Sequence, residues 1–497
     1  MEPAPYNRRR GTQRTVMDSP QHNLILNTDS YKLTHYLQYP PDTRRISSYI
    51  ESRGGAFHDV LFFGLQAFLK EYLSKPISRA DIDEAEEVAM AHLGFFNRKG
   101  WEHIVNRHGG FLPVEIQALP EGTVVPNQVP VVQLINTDPE CFWVPSYLET
   151  ALLRAVWYPS TVASLSFACK KVLRHYLEQT ADSLDGLEFQ LHDFGARGAT
   201  SEEAAGLGGA GHLLNFQGTD TLAALMLARR CYQEPMAAFS IPASEHSTMT
   251  SWGKAGEREA CRNMIRQFSG PQKVLAFVID SYDVWNALDH IVGEDLYKEV
   301  VENGGRIVVR PDSGDPVAVV PRVIEHLMRR FGHTQNSKGY RVLPPYIRMI
   351  QGDGVDLNTL PRILEVLKMR AISVENLAFG MGGGLLQKVD RDTLKWAMKA
   401  SWGEIGDGTR DIYKDPVTDP GKRSKAGRYA VVRDGSSYAA VREEALDGRD
   451  NLLRPVYRDG KLLVDDSFTT LRARTAEHFE AAYQRDLLAL AERQRTA

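Results

Sequence analysis

From about residue 187 the chain alternates short apolar runs with helical patterns. Seven runs occur, and each is followed by a polar or glycine-rich segment. Continuous apolarity is typical of strands buried on both faces, and the spacing of about 25–40 residues is that of βα units. The runs are FQLHD, LLNFQGTD, FSIPASEH, VLAFVID, RIVVRPDSGD, YIRMIQGDG and NLAFGMGGG.

Seven successive βα units predict an α/β fold in which the strands form a (β/α) barrel. Because such barrels carry their active site at the carboxyl ends of the strands, the polar residues that end the runs are candidate functional residues. The competing architecture is an open, doubly wound parallel sheet. No GxGxxG follows the first run, which disfavours the dinucleotide-binding form of that sheet.

The remaining segments predict a flanking α+β part. Residues 111–136 alternate apolar and polar positions between prolines and glycines, which is typical of antiparallel strands. Residues 160–180 predict a long helix, and Ala476–Arg493 an amphipathic one. We therefore predict a flexible extension at 1–22, a mixed α+β flanking domain at 23–180, a barrel core at 181–400, and a segment at 401–497 that returns to the flanking domain.

The composition is that of an ordinary globular protein. The 497 residues are 43% hydrophobic and 25% charged, and 59 basic residues nearly balance 63 acidic ones. The formal net charge of −4 provides no bulk positive charge for nucleic acid, so we expect no nucleic-acid partner. The hydrophobic content also argues against intrinsic disorder.

Membrane and secreted classes are disfavoured as well. The longest apolar stretches, such as Val274–Ile279, are far shorter than the roughly 20 residues that a bilayer span requires. The N-terminus lacks the apolar segment of a secretory signal. The four cysteines form no CxxC pair, which argues against a disulfide framework or a zinc site and favours a reducing, cytoplasmic setting. They are Cys141, Cys169, Cys231 and Cys261.

The last run ends in GMGGG, residues Gly380–Gly384. Glycines between a strand and a helix let backbone N–H groups approach a phosphate at the positive end of the helix dipole. The alternative is a tight turn that needs a positive φ, for which one glycine would suffice. This segment therefore predicts phosphate binding.

The predicted rim carries both charge signs. Arginines suit phosphate through bidentate hydrogen bonds, and nearby carboxylates suit Mg²⁺. Strand-end aspartates could instead cap helices, but His246 and Arg310 are not capping residues. A metal-hydrolase site on His192, Asp193, His246 and Asp312 lacks an HxH or HExxH anchor, and no GxSxG indicates a serine hydrolase. The charged rim residues are Asp193, Arg197, Asp220, Glu245, His246, Asp280, Arg310, Asp312 and Asp353.

Several motifs resemble those of the nicotinamide phosphoribosyltransferases, in the same order and spacing, from about residue 23 to 485. The resemblance implies a dimeric type II phosphoribosyltransferase with an irregular α/β barrel and part of the dimer interface in the flanking domain. It implies that nicotinamide and 5-phosphoribosyl-1-pyrophosphate give nicotinamide mononucleotide and pyrophosphate in NAD salvage. It also implies Mg²⁺, held mainly by substrate phosphates, and ATP hydrolysis coupled through a phosphohistidine. The motifs are TDSYKLTHYLQYPPDT, LHDFGARG, NFQGTDT, PASEHSTMTSWG, DSYD, VRPDSGDP, IQGDGVD and AFGMGGGLLQK.

The resemblance also implies roles for single residues. His246 matches the phosphorylated histidine, Asp280 the acid that orients it, and Glu245 lies beside it. Phe194 matches a ring that stacks on nicotinamide, and Tyr31 matches the ring supplied by the partner subunit. Asp220 matches the acceptor of the carboxamide NH₂, which would favour nicotinamide over nicotinate.

A second set of matches concerns the phosphoribosyl and phosphate groups. Arg197, Arg310 and Asp312 match residues at the phosphoribose and pyrophosphate site, and Asp353 matches a ribose ligand. Three glycines match residues whose backbone N–H groups donate to the phosphoribosyl group: Gly352, Gly382 and Gly383. Basic residues that gather phosphates at the dimer interface are matched by Arg53, Arg391, Lys399, Lys414 and Lys422.

The chain departs from the family pattern at four positions. Ala276 and Ala397 stand where relatives carry serines, Phe189 replaces a tyrosine, and Met381 replaces a small polar residue. Two alternatives to the implied function stay open on the sequence. One is a nicotinate phosphoribosyltransferase, which Asp220 disfavours. The other is a non-catalytic nucleotide-binding protein on the same fold, which the joint presence of four residues disfavours: His246, Asp280, Arg310 and Asp312.

Overall fold

Two large β-sheets organise the chain, one parallel and one antiparallel. The computed structural model describes residues 23–418, 422–435 and 437–496, so the predicted extension at 1–22 lies outside the described residues. The strands are β1 (Thr43–Glu51), β2 (Asp59–Leu61), β3 (Val114–Ala118), β4 (Val124–Pro126), β5 (Pro130–Asn136), β6 (Leu191–Asp193), β7 (Gly218–Thr219), β8 (Val274–Val278), β9 (Arg306–Arg310), β10 (Thr334–Gln335), β11 (Arg341–Val342), β12 (Ile347–Gln351), β13 (Leu377–Met381), β14 (Ala397–Ile405), β15 (Gly408–Asp411), β16 (Tyr429–Asp434), β17 (Ser437–Arg442), β18 (Arg454–Arg458) and β19 (Lys461–Leu462).

Helices cover both sheets and connect the strands. Short 3₁₀ segments, such as Ser30–Leu37 and Pro139–Cys141, and π-helical segments at Leu69–Leu73 and Ala287–Asp295 complete the helical structure discussed below. The α-helices are α1 (Leu65–Phe68), α2 (Arg79–His92), α3 (Arg98–His108), α4 (Val144–Tyr147), α5 (Glu149–Thr180), α6 (Glu202–His212), α7 (Leu222–Tyr232), α8 (His246–Thr250), α9 (Glu257–Phe268), α10 (Val284–Asn286), α11 (Tyr297–Val301), α12 (Pro316–Phe331), α13 (Thr359–Met369), α14 (Gly383–Leu386) and α15 (Phe468–Thr496).

The parallel sheet closes into an irregular barrel. Its strands run in the order β7-β6-β13-β12-β9-β8, and single parallel bridges from residues 239–243 connect the two edges. Phe239 bridges Gly218 in β7, and Ala243 bridges Ala276 in β8. Pro242 lies in this closing segment and has no N–H to donate, which suits a connection by bridges rather than by a full strand. All seven predicted runs therefore follow one another around the barrel, and the predicted α/β barrel is confirmed.

The strands of the barrel are apolar on both faces, as their sequences predict. Phe277 and Val309 point outward into the core beneath the helices. Ala276, Val308 and Ile350 form a small cluster of their own with Phe194, on the opposite face of the strands. Because small and medium side chains occupy this inner face, the barrel encloses a cavity of about 520 Å³ rather than a filled core.

The antiparallel sheet flanks the barrel and draws on both ends of the sequence. Its order is β15-β14-β1-β5-β3-β18-β19, which combines strands from 43–136 with strands from 397–462. Helix α5 leads from this part into the barrel and begins at Glu149, earlier than the helix predicted for 160–180. Across the described ranges, no helix combines the length and the apolarity that crossing a bilayer requires.

Candidate active site

A histidine–carboxylate pair lies on the barrel rim, where the third and fourth units end. His246 is the first residue of α8, and Asp280 lies two residues beyond the end of β8. The Nε2 atom of His246 lies 3.0 Å from Oδ1 of Asp280. The Asp280 side chain is only 3% exposed, whereas that of His246 is 45% exposed. The pair therefore joins an accessible imidazole to a buried carboxylate.

The second oxygen of Asp280 is bound by the neighbouring unit. Its Oδ2 accepts hydrogen bonds from the backbone N–H groups of Asp312 at 2.9 Å and Ser313 at 2.7 Å. Burial opposes the charge, but hydrogen bonds from Ser313, from the Asp312 amide and from His246 outweigh it and hold the pKa of Asp280 below its ordinary value. Asp280 thus stays ionised, with one oxygen directed at His246.

Arg310 and Asp312 form a second pair beside the first. Nη2 of Arg310 lies 3.0 Å from Oδ2 of Asp312. Nε of Arg310 and Oδ1 of Asp312 are buried and have no hydrogen-bond partner among the described residues. Burial raises the pKa of Asp312 above its ordinary value, Arg310 opposes this, and the charge of Asp280 adds to it. Buried polar groups without partners are costly, which indicates that a ligand completes this pair. We call His246, Asp280, Arg310 and Asp312 the rim cluster.

The Phe194 ring rests against glycines of two other strand ends. A β-carbon at Gly380 would lie 2.0 Å from the ring atom Cε2, and one at Gly352 would lie 3.2 Å from it. The backbone holds the same residue, because Phe194 N–H donates to the Met381 carbonyl at 3.0 Å. The ring position therefore requires glycine at 380.

This finding divides the glycines of the GMGGG segment into two groups. Gly380 leaves room for the Phe194 ring, and a β-carbon at Gly384 would lie 2.7 Å from the carbonyl oxygen of Val355. Packing alone thus explains these two glycines. A β-carbon at Gly382 would meet the Phe194 carbonyl oxygen only at 3.4 Å, and one at Gly383 would lie 2.8 Å from the Gln387 side chain. These two glycines stand at the start of α14, and phosphate binding stays a prediction for them.

The barrel cavity runs from the rim to the amino-terminal ends of the strands. Phe194, Asp220 and Arg310 line it at the rim, and Arg348 and Glu375 line it near the other end. Its wall includes two of the four departures from the family pattern, Ala276 and Phe189.

The other two departures lie elsewhere. Met381 is fully buried in the hydrophobic core around the barrel, and Ala397 begins β14 of the antiparallel sheet. A substitution at Ala276 or Phe189 therefore alters the cavity wall directly. The Met381 side chain instead packs in the hydrophobic core.

Asp220 is exposed at the rim and is oriented by a residue that the sequence analysis missed. The Ser240 hydroxyl donates a hydrogen bond to Oδ1 of Asp220. Because Ser240 satisfies one carboxylate oxygen, the other remains available to a ligand. The only sequence signal for Ser240 is its position in the run FSIPASEH, at the edge that closes the barrel.

The other predicted rim residues either form hydrogen bonds with residues close to them in sequence or are exposed. Glu245 accepts from the Ser247 hydroxyl, and its N–H donates to Thr248 Oγ1 at 3.2 Å, so its contacts organise the start of α8. Asp193 is fully buried and accepts from the Gly195 N–H at 2.7 Å. Arg197 is exposed in the 3₁₀ segment Ala196–Gly198 after β6, and Asp353 is exposed in the loop after β12.

Three of the predicted phosphate-binding cations lie on or beside the antiparallel sheet: Lys399 in β14, Arg53 after β1 and Lys414 after β15. Burial lowers the pKa of Lys399, Glu149 opposes this, and the nearby charges of Arg53, Lys414 and Lys32 lower it further. We call these four cations the basic cluster. Nη2 of Arg53 is buried and has no hydrogen-bond partner among the described residues.

The predicted site residues thus form two groups on two sheets. Among the described residues, no hydrogen bond or ion pair joins Arg53, Lys399 or Lys414 to the rim cluster. Tyr31 is 57% exposed in the 3₁₀ segment Ser30–Leu37. Arg391 is exposed beside Asp392, and Lys422 is exposed in the loop before β16.

Sequence comparisons identify the family. The model of the nicotinate phosphoribosyltransferase (NAPRTase) family matches residues 189–461, and that of the nicotinamide phosphoribosyltransferase N-terminal domain matches residues 23–116. A nicotinamide phosphoribosyltransferase of Xanthomonas campestris pv. campestris (strain 8004) is 49% identical over 467 residues, covering 93% of this chain and 98% of the relative. The chain belongs to the nicotinamide phosphoribosyltransferase family. A relative of that name from Acinetobacter baylyi is 31% identical and covers 91% of this chain and 97% of its own length.

Solved structures of phosphoribosyltransferases share the fold. A nicotinate-nucleotide pyrophosphorylase from Pyrococcus furiosus superimposes with a TM-score of 0.61 at 15% identity, covering 94% of this chain and 98% of that one. Human nicotinic acid phosphoribosyltransferase gives 0.56 at 18% identity, covering 91% and 93%. At these identities the comparison concerns the fold alone. It agrees with the irregular barrel and flanking sheet of this phosphoribosyltransferase.

The close approach of the Phe194 ring to Gly380 leads to a structural prediction. We expect Gly380→Ala to displace the ring, because the new methyl group overlaps Cε2, and to destabilise the protein by about 1–3 kcal/mol through overpacking. A crystal structure and the thermal unfolding midpoint measure both effects. Gly408→Ala is the matched control, since a β-carbon there meets no atom within 4 Å. An unmoved Phe194 ring with an unchanged midpoint would contradict this account of the glycine.

Proposed function

We propose that the protein joins nicotinamide to 5-phosphoribosyl-1-pyrophosphate, giving nicotinamide mononucleotide and pyrophosphate in NAD salvage. One observation carries the proposal: Phe194, Asp220 and Arg310 line the same cavity at the barrel rim. An aromatic face, an amide acceptor and a phosphate-binding cation therefore surround one volume. The nicotinamide phosphoribosyltransferases at 49% and 31% identity support it.

The pyridine ring would stack on Phe194, which a flat aromatic ligand matches in shape and polarity. The carboxamide NH₂ would donate to the Asp220 oxygen that Ser240 leaves available. Nicotinate carries a carboxylate at the same position and would meet like charge at close range. This argument favours nicotinamide over the alternative, a nicotinate phosphoribosyltransferase.

The phosphoribosyl group would bind at the rim cluster and the loops beside it. Arg310 and Arg197 would hold phosphate oxygens, Asp353 a ribose hydroxyl, and the N–H groups of Gly352, Gly382 and Gly383 the phosphoribosyl phosphate. In the reaction the bond from ribose C1 to pyrophosphate breaks, its electron pair leaves with pyrophosphate, and the pyridine nitrogen forms the new bond to C1. Positioning and charge neutralisation in an oxocarbenium-like transition state would then provide most of the catalysis.

The residues present also fit a magnesium ion. Oδ1 of Asp312 is buried without a hydrogen-bond partner, and oxygen donors of this kind suit Mg²⁺, which is bound by one or two carboxylates and substrate phosphates. When bound, the ion supplies charge neutralisation for the pyrophosphate. Asp312 and the substrate phosphates would hold it.

ATP hydrolysis would be coupled through His246. Because a carboxylate only accepts hydrogen bonds, Asp280 keeps the hydrogen on Nε2 and leaves the lone pair on Nδ1. Nδ1 would attack the γ-phosphorus of ATP, and the bond to the β,γ-bridging oxygen would break as ADP leaves. Glu245 would act as a positioning residue through its contacts at the start of α8.

We also propose that the active site is shared within a homodimer. The basic cluster and Tyr31 lie on the flanking part of the chain, and within the described ranges no hydrogen bond or ion pair joins them to the rim cluster. A partner subunit would bring its Tyr31 to the exposed face of nicotinamide and its basic cluster to the phosphates, together with Arg391 and Lys422. Arg53, whose Nη2 has no partner, would then gain an anion.

Substrate choice tests the proposed function. We expect the wild type to form nicotinamide mononucleotide and to use nicotinate at least about 100-fold less efficiently, as kcat/KM. Asp220→Asn should lower kcat/KM for nicotinamide by about 10- to 100-fold, which corresponds to the loss of one charged hydrogen bond. It should also reduce the preference for nicotinamide over nicotinate. Chromatographic product assays with both substrates measure this.

Asp185→Asn is the matched control for the same experiment, because Asp185 lines the cavity near its other end. That variant should keep the preference for nicotinamide. Equal use of the two substrates by the wild type, or an Asp220→Asn enzyme with unchanged selectivity, would contradict the role of Asp220. A wild type that forms neither product would contradict the proposed reaction.

Mixed dimers test the shared site. Tyr31→Ala and Asp220→Ala subunits should each be nearly inactive, but a heterodimer contains one site with both residues intact. Random reassociation of equal amounts gives half heterodimers with one intact site of two, so about a quarter of wild-type activity should return. Each variant reassociated with itself is the control. Verified heterodimers without recovered activity would refute sharing of the site.

A further inference from the structure

A cluster of metal-ligand residues lies in the flanking part, remote in sequence from the barrel. His103 and His108 belong to α3, and Asp138 and Cys141 belong to the turn that contains the 3₁₀ segment Pro139–Cys141. Nε2 of His103 lies 2.8 Å from Oδ2 of Asp138, and Nε2 of His108 lies 2.7 Å from the same oxygen. Ligand atoms of His103, Asp138 and Cys141 all lie within 4.8 Å of one another. One nitrogen, one oxygen and one sulfur therefore lie close together, and His108 reaches this group through the shared oxygen of Asp138.

The spacing of these residues matches a zinc-binding pattern in which an aspartate replaces one cysteine. His103 and His108 are separated by four residues, within the H-x₃₋₅-H spacing of zinc sites, and Asp138 and Cys141 are separated by two, as in a CxxC pair. The lack of a CxxC pair in the sequence predicts that no zinc site is present, but a pattern made of cysteines alone does not include this combination of histidines, aspartate and cysteine.

The surrounding structure holds the donors in place. Oδ1 of Asp138 accepts from the Glu140 N–H at 2.9 Å, which leaves Oδ2 directed at the two histidines. The elements that carry the donors are also packed together: the rings of Trp101 in α3, Trp143 and Tyr147 pack edge to face, with centroids 4.8–5.5 Å apart. Hydrogen-bonded ligand carboxylates and a rigid support are the features that preorganise metal sites.

We propose that His103, His108, Asp138 and Cys141 bind one zinc ion that joins α3 to the turn at residues 138–141. Bonds of about 2.0–2.3 Å in a tetrahedron place donor atoms roughly 3.3–3.6 Å apart. The two histidine nitrogens would therefore move slightly away from Asp138, and His108 would move toward the other two donors to become the fourth ligand. Cys141 binds as a thiolate and its proton passes to solvent. The carboxylate and the thiolate then balance the double charge of the ion. The site is structural and does not depend on the proposed reaction.

Cobalt is the probe that tests this site. The full-length protein is stripped of metal with a chelator and titrated with Co²⁺, and the absorption spectrum is recorded. We expect one equivalent to give intense visible bands of tetrahedral cobalt and a near-ultraviolet thiolate-to-cobalt band. One equivalent of Zn²⁺ should abolish both. Zinc should also raise the thermal unfolding midpoint, because it binds the folded state.

Variants separate this site from other metal binding. Cys141→Ser should remove the thiolate band and weaken zinc binding at least 100-fold, and His103→Gln should weaken it similarly. Cys261→Ser, which alters another buried free thiol, should retain the band, and so should His246→Ala at the barrel rim. If Cys141→Ser does not fold, the double variant His103→Gln, His108→Gln replaces it. Weak octahedral cobalt bands, absence of the thiolate band, or its survival in Cys141→Ser or the double variant would overturn the proposal.

Discussion

The carboxylate of Asp280 connects three successive units of the barrel. It follows β8, receives the amides of Asp312 and Ser313 after β9, and holds His246 at the start of α8. One of its oxygens therefore fixes the loop after β9, and the other orients the imidazole of His246. The arrangement depends on closure of the barrel, because the closing segment 239–243 leads directly to His246. Without that closure the third unit would have no fixed relation to the fourth.

The fold was predictable because both faces of its strands are apolar. Seven continuous apolar runs with polar ends are enough to predict a barrel and the set of residues at its rim. The pattern of apolar and polar residues does not show to which face of a strand each side chain points. Met381 looked like part of the glycine loop but its side chain belongs to the core, and Gly380 is required by the Phe194 ring rather than by a phosphate. Ser240 was missed because a serine in a strand carries no distinguishing signal.

The division of the charged residues explains why the composition was uninformative about function. The rim cluster pairs arginine and carboxylates within one chain. The basic cluster beside the antiparallel sheet has four cations, and ion pairs join it to two acids: Glu149 beside Lys32 and Lys399, and Glu51 beside Arg53. The near-neutral net charge of the whole chain conceals both clusters. Such a division suits the proposed shared site, in which each half would remain incomplete until two subunits and the anionic substrate assemble.

Asp280 contacts Nε2 of His246, and under the proposed coupling to ATP this contact would leave Nδ1 as the nucleophile. The most direct test is ³¹P NMR of the protein after incubation with ATP and Mg²⁺, because the two phosphohistidine isomers differ in chemical shift. We predict a phosphohistidine signal from the Nδ1 isomer, absent in His246→Gln. A phosphate on Nε2 of His246, or no phosphohistidine in the wild type, would contradict the account.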